Sequence, residues 1–174
     1  MVYNLQRSTE VLERTPQVLR AMLEGLPGEW IMNNEGGETW SPYDIVGHLI
    51  HGELTDWIPR MEVFLSESGD KTFVPFDRFA QFQRGKEIPI SQLLQEFREL
   101  REKNLEILRS KNLSLEDLGK KANHPSLGEV TLSQLLAAWT VHDLNHIAQI
   151  SRVMAKQYIN EVGPWVEYLG VLNS

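Results

Sequence analysis

His142 and His146 close the run His142-Asp143-Leu144-Asn145-His146. Residues four apart on a helix lie about 40° apart around the axis and about 6 Å along it, so two such imidazoles can share one metal ion. Leu135, Trp139, Ile150 and Val153 repeat at helical spacing on the same face, which turns the pair toward a core. Partnerless imidazoles are costly there. Hydrogen bonds to polar side chains or water satisfy them on one account, a shared metal on the other, and spacing alone leaves the two level. Asp143 stands where the HExxH zinc peptidases carry glutamate, so the general base of that chemistry is missing.

A metal centre needs a third ligand. His48 and His51 fall on a helix whose apolar arc runs through Val46, Ile50, Leu54, Trp57, Met61 and Phe64. His48 points nearly opposite, alongside Asp44, His51, Gly52, Thr55 and Asp56. This pattern favours a solvated polar face over a polar cleft between helices. His124, before Pro125 in a turn-rich stretch, reads as an exposed loop residue.

The elements that must position these residues are helical. Leu12, Leu19, Met22, Leu23 and Leu26 mark a first helix over about 9–26, with Thr15-Pro16 either a kink or its true start. Ser41 caps a second helix that Pro42 and Asp44 favour; it runs toward Ser66, with a kink expected at Pro59. Residues 67–90 form a long connection, of a length that is usually functional or mobile. Ser91 opens a third helix to about Lys111, with Leu94, Phe97, Leu100, Leu105 and Leu108 inside. Thr131 and Gln134 make a capping box for a fourth, from Leu132 to about Tyr158. The tail is expected to pack Trp165 and Leu169 back on the bundle. Four amphipathic helices predict an all-α four-helix bundle.

At 174 residues the chain is read as one domain spanning 1–174. A net charge of −7 without a basic patch argues against nucleic-acid binding and against docking on anionic membranes. No cysteine is present, which removes disulfides, thiolate ligands and a cysteine nucleophile. The run Met1–Arg7 lacks the apolar stretch of a signal peptide, and no segment approaches the ~20 apolar residues of a membrane helix. The expected location is cytoplasmic. Trp57, Met61 and Phe64 serve either the core or a homodimer interface.

The ordered set Trp40-Ser41, Gly47-His48-Leu49, Glu53, Asp56-Trp57-Ile58-Pro59-Arg60, Gly128-Glu129-Val130-Thr131-Leu132, Gln134-Leu135-Leu136, His142–His146 with Gln149-Ile150, and Val162-Gly163-Pro164-Trp165 resembles the DinB/YfiT-like superfamily over nearly the whole chain. These are four-helix bundles in which one histidine of the second helix and two of the last bind a divalent metal. The resemblance therefore implies His48, His142 and His146 as ligands and overrules the solvated face for His48. It also implies thiol-dependent transferase or isomerase relatives using bacillithiol, mycothiol or glutathione, although many members have no known reaction.

Three neutral imidazoles with an open position suit zinc or nickel. A cation there lowers the pKa of a bound water or thiol. The expected function is a thiol-dependent S-transferase, or a hydrolase, acting on a small molecule; the alternative is a non-catalytic stress-response or binding module whose metal is structural or vestigial. Asp56, Thr55 and Gln149 are candidates to orient a ligand, with His51 and Trp139 lining the pocket. Arg78, Arg84 and Lys86 in the long connection are candidates to bind an acidic cofactor or substrate.

Overall fold

The structure, a computed structural model, describes residues 3–67 and 69–173; the reading made on Met1 and Val2 lies outside the described residues. Four helical rods form the bundle. The first is split into α1 (Leu5–Leu12) and α2 (Thr15–Leu23), and the short α3 (Gly28–Met32) follows it. The second is split into α4 (Pro42–Thr55) and α5 (Trp57–Leu65). The third is α6 (Ile90–Ser110), followed by the single turn α7 (Leu115–Leu118). Strands β1 (Lys121–His124) and β2 (Gly128–Thr131) then pair antiparallel and lead into the fourth rod, α8 (Leu132–Lys156).

Local chemistry explains most boundaries. Asn4 caps α1 by accepting from the Arg7 amide at 2.9 Å, and Pro16 sits in the first turn of α2, so it marks a start and not a kink. Capping boxes at Ser41/Asp44 and Thr131/Gln134 open α4 and α8. The second rod breaks at Asp56 and not at Pro59 itself. Proline has no N–H for the carbonyl four residues back, and its ring crowds that carbonyl; here that residue is Thr55, where α4 ends.

Three further expectations are corrected. Leu54, placed in the apolar arc, is 50% exposed, whereas nearly every residue from Pro42 to Ile50 is buried. α4 is covered all round, so its apolar arc does not mark its only inward face. The 121–131 stretch holds a hairpin too short to show strand alternation. His124 shapes its turn, accepting at Nδ1 from the amides of Ser126 and Leu127 at 3.1 and 3.2 Å. In the tail, Leu172 is buried while Trp165 is 68% exposed and Leu169 is also exposed. Trp57, Met61 and Phe64 are buried in the core, so any pairing of copies would have to use another face.

The core has two apolar halves. One gathers Leu12, Trp57, Met61, Phe64, Leu105, Leu108, Leu135 and Trp139; the other gathers Leu19, Leu23, Ile45, Ile50, Leu94, Phe97, Ile150 and Val153. On each of the three longest rods, polar residues separate the halves: His48 and Glu53, then Arg101 and Asn104, then His142, Asp143 and His146. Arg101, 1% exposed, forks onto Asp143 at 2.6 and 3.0 Å, reaches Glu53 at 2.8 Å, and donates to the Leu12 carbonyl at 2.9 Å. Asn104 and the Trp139 indole N–H donate to the Glu53 carboxylate at 3.0 Å each. Burial pulls the Arg101 pKa down, but Glu53 and Asp143 outweigh it and hold the guanidinium charged.

Arg101→Ala leaves two buried carboxylates without their cation. It is expected to destabilise the fold by about 3–5 kcal/mol, measured by urea unfolding at neutral pH. A loss under about 1 kcal/mol, the range of an exposed ion pair, contradicts this account of the core.

Candidate metal centre

α4 carries His48 and α8 carries His142 and His146 into one cluster. His142 Nε2 lies 3.1 Å from His48 Nε2 and 3.1 Å from His146 Nε2, and the donor atoms of all three fall within 4.8 Å of one another. His48 and His146 are buried and His142 is half-buried. Gly52 leaves the space that Trp57 needs: a Cβ there would stand 3.3 Å from the Trp57 indole nitrogen. Trp57 then meets the His142 ring edge-on at 5.1 Å. Trp40 lies 4.8 Å from the His48 ring and is stacked 6.3 Å from His146, and Phe76 meets His48 edge-on at 5.6 Å.

Hydrogen bonding alone does not satisfy this cluster. Gln149 Oε1 lies 2.8 Å from His146 Nδ1 and, as an amide oxygen, can only accept. The His146 proton is thereby fixed on Nδ1, and its Nε2 lone pair faces the other rings. One proton on His142 Nε2 would then have to serve both neighbours; Nδ1 of His48 and of His142 are buried without a partner among the described residues, and a cation on Nε2 would not change that. A tetrahedral cation with metal–nitrogen bonds near 2.05 Å sets its ligand nitrogens roughly 3.3 Å apart, close to the two 3.1 Å spacings that His142 makes. The donor set fits a divalent metal.

The cluster opens on a cleft of about 980 Å³ lined in part by Trp40, Phe76, Asp56, Arg60, Arg78 and Gln149. Of the five pocket candidates, Asp56 and Gln149 line it. His51 and Thr55 do not: the exposed Thr55 hydroxyl donates to the His51 carbonyl at 2.9 Å, and the His51 ring lies 4.9 Å from Phe76. Trp139 is fully buried behind Trp57, stacked on it at 5.6 Å, so Trp57 stands between it and the site. Asp143 is fully buried on Arg101, about 100° around the helix from His142. It has no free oxygen with which to act as a base in the cleft.

The electrostatics favour neutral ligands and one responsive carboxylate. Burial first, then His146, His51 and Arg78, hold the His48 pKa down at about 3. Burial first, then His146, His48 and Arg101, hold that of His142 at about 2. Burial also lowers His146, against the opposing pull of Gln149 and Asp143. Burial pushes Asp56 up to about 6, although Arg60 Nε lies 2.6 Å from its Oδ1 and opposes the rise.

The packing defines a helical bundle in which three converging histidines face an open cleft and could hold a metal ion. A family model for the DinB superfamily matches residues 11–150, and the chain belongs to that superfamily. Proteins of Bacillus cereus (strain 03BB102) and Bacillus anthracis (strain A0248), each named "Putative metal-dependent hydrolase", are 28% identical over 114 residues. That match covers 64% of this chain and 63% of each relative. YfiT from Bacillus subtilis, described as a "probable metal-dependent hydrolase with an unusual four-helix bundle topology", superposes with a TM-score of 0.73 at 22% identity. The superposition covers 88% of this chain and 86% of YfiT, and it shows the shared fold.

Sequence reasoning missed Trp40 and Phe76 as walls of the site, and it missed the Arg101 cluster. Arg101 and Asn104 continue the three–four spacing of Leu94, Phe97 and Leu108 along α6, so polar residues at core positions were the available signal.

In the metal-free protein the unfolded histidines take up protons near pH 6.5 and the folded ones do not. Stability therefore falls as pH drops below 6.5, by up to about 1.4 kcal/mol per pH unit for each histidine. Asp56 acts oppositely: its folded pKa is raised from 3.8 to about 6, so stability rises as pH falls through that window. His48 and His142, held at about 3 and about 2, outweigh Asp56 and give a net loss between pH 6.5 and 4. Denaturant unfolding of metal-free protein at pH 7 and pH 5 checks the sign, and His48→Gln with His142→Gln should flatten the dependence.

Proposed function

We propose that His48, His142 and His146 hold a divalent cation, zinc or nickel, and that the chain is a metal-dependent enzyme acting on a small molecule in the cleft. The observation that carries this reading is the convergence of three Nε2 atoms beside an open cleft, with the His146 tautomer set by Gln149. When bound, such a cation supplies Lewis acidity that brings the pKa of a coordinated water or thiol toward neutrality. Hydrolysis accords with the names of the relatives. Thiol transfer is the other form of the same chemistry, and its sulfur must come from a separate small molecule, because the chain has no cysteine.

The chain's own part is positioning and proton movement. Arg60 engages Asp56 Oδ1, which leaves Oδ2 as the oxygen that exchanges a proton with the nucleophile. A pKa of about 6 leaves Asp56 mostly ionised at neutral pH and still able to return the proton to a leaving group. Gln149 orients His146, while Trp40 and Phe76 shield His48 from bulk water.

One observation favours a second reading, a non-catalytic module with a structural or vestigial metal. Metal-binding histidines ordinarily donate their other N–H to an acceptor, and here only His146 does so.

Elemental analysis after zinc or nickel loading is expected to find one metal per wild-type chain and none in His48→Ala. Gln149→Leu is expected to weaken metal affinity roughly tenfold. Wild type that takes up neither metal overturns the three-histidine assignment. The loaded enzyme is then assayed on nitrophenyl esters and on thiol transfer to monochlorobimane. Activity should fall as pH drops below about 6, and Asp56→Asn should cost about 10²–10⁴-fold in turnover and remove that acid limb. Metal that raises thermal stability without turnover or ligand binding favours the second reading.

A further inference from the structure

We infer that the cleft takes a small monoanionic acid, its carboxylate paired with Arg78 and its apolar body lying beside Trp40 and Phe76. The inference rests on the metal-enzyme reading for its reaction, but not for this binding contact.

Three arginines line the cleft, and two are committed. Arg60 Nε lies 2.6 Å from Asp56, and Arg152 Nε lies 2.7 Å from Glu35. Arg78, exposed on the connection between α5 and α6, makes no ion pair or hydrogen bond among the described residues. The connection's other three cations are occupied, Arg84 by Glu96, Lys86 by Asp44 and Lys71 by the Phe64 carbonyl. In a chain with 24 acidic and 17 basic residues, a cleft arginine that pairs with no carboxylate among the described residues is suited to an anion from outside.

Position gives that arginine its meaning. Arg78 lies close enough to His48 to act on it electrostatically. Glu38, the cleft carboxylate with no ion pair among the described residues, is exposed on the loop before Trp40. A molecule reaching the histidines therefore meets a positive field on the Arg78 side. Its body meets two half-buried aromatic rings against His48. One uncommitted cation recognises a single negative charge, and Glu38 disfavours a second.

The connection is held well enough to present Arg78. Phe73 is buried, and its amide donates to the Asn123 carbonyl at 3.0 Å, while the Asn123 amide donates to the Lys71 carbonyl at 2.8 Å. This pairing ties the connection to the β-hairpin five residues before Arg78.

Phenylacetate and its neutral counterpart phenylacetamide test the inference by calorimetry, first with metal-free protein so that no carboxylate can ligate a metal. Phenylacetate is expected to bind wild type roughly fivefold tighter than phenylacetamide, the scale of an exposed ion pair, with the preference shrinking as salt rises. Arg78→Gln should abolish the preference without weakening phenylacetamide, and Arg78→Lys should retain most of it. Equal binding of the two probes, no binding of either, or a preference that survives Arg78→Gln overturns the inference. Failure of the protein to load zinc sinks the metal reading alone, because the metal-free preference is measured separately.

Discussion

The buried Arg101 cluster is the constraint on which the rest of the structure depends. A guanidinium and two carboxylates in an apolar bundle are tolerated only while each remains paired. The pairing fixes the rotational phase of three rods at once: Glu53 on α4, Arg101 on α6 and Asp143 on α8 must all point at one spot. The Leu12 carbonyl adds the fourth rod. With Asp143 pinned inward, its helical neighbours His142 and His146 fall together on one side of it, about 100° and 60° around the axis. With Glu53 pinned, His48 lies about 140° around α4 and meets them. The geometry of the histidine cluster is thus inherited from an ion cluster that does no chemistry.

The polar layer across the bundle has two unlike ends. Around Arg101 most polar atoms have a partner, including the Trp139 indole and the Asn104 amide, although Arg101 Nε has none among the described residues, and such a network rigidifies the core around it. Around the histidines the reverse holds, with three Nε2 atoms competing for too few protons. A fold that pairs the charges at one end and leaves the Nε2 atoms of the other in competition places its unmet demand at the cleft. That contrast separates a ligand site from a core histidine pair more sharply than the spacing of His142 and His146 does.

The sequence showed the rods well and their phases poorly. The capping boxes at Ser41 and Thr131 are local, written in four residues each, and they fall at the starts of α4 and α8. The break near Pro59 was visible, but its displacement to Asp56 follows from the carbonyl four residues back. His48 was misplaced by its own helix because an apolar arc identifies an inward face only when the other face meets solvent. α4 is enclosed on both; resemblance supplied His48 where periodicity did not. The hairpin was hidden because four-residue strands are too short to alternate visibly.

Asp56 shows why pocket chemistry resists reading from sequence. Its neighbour Arg60 is one turn away, and an exposed pair of that kind would hold the carboxylate below its ordinary range. Here the break before α5 buries Asp56, and desolvation overrides the arginine and lifts the pKa to about 6. Spacing predicts the pair; only the packing around Trp57 and the cleft decides which effect wins. The same break that Pro59 imposes on the second rod therefore sets both the turn that carries Asp56 into the cleft and the environment that keeps its proton exchangeable near neutral pH.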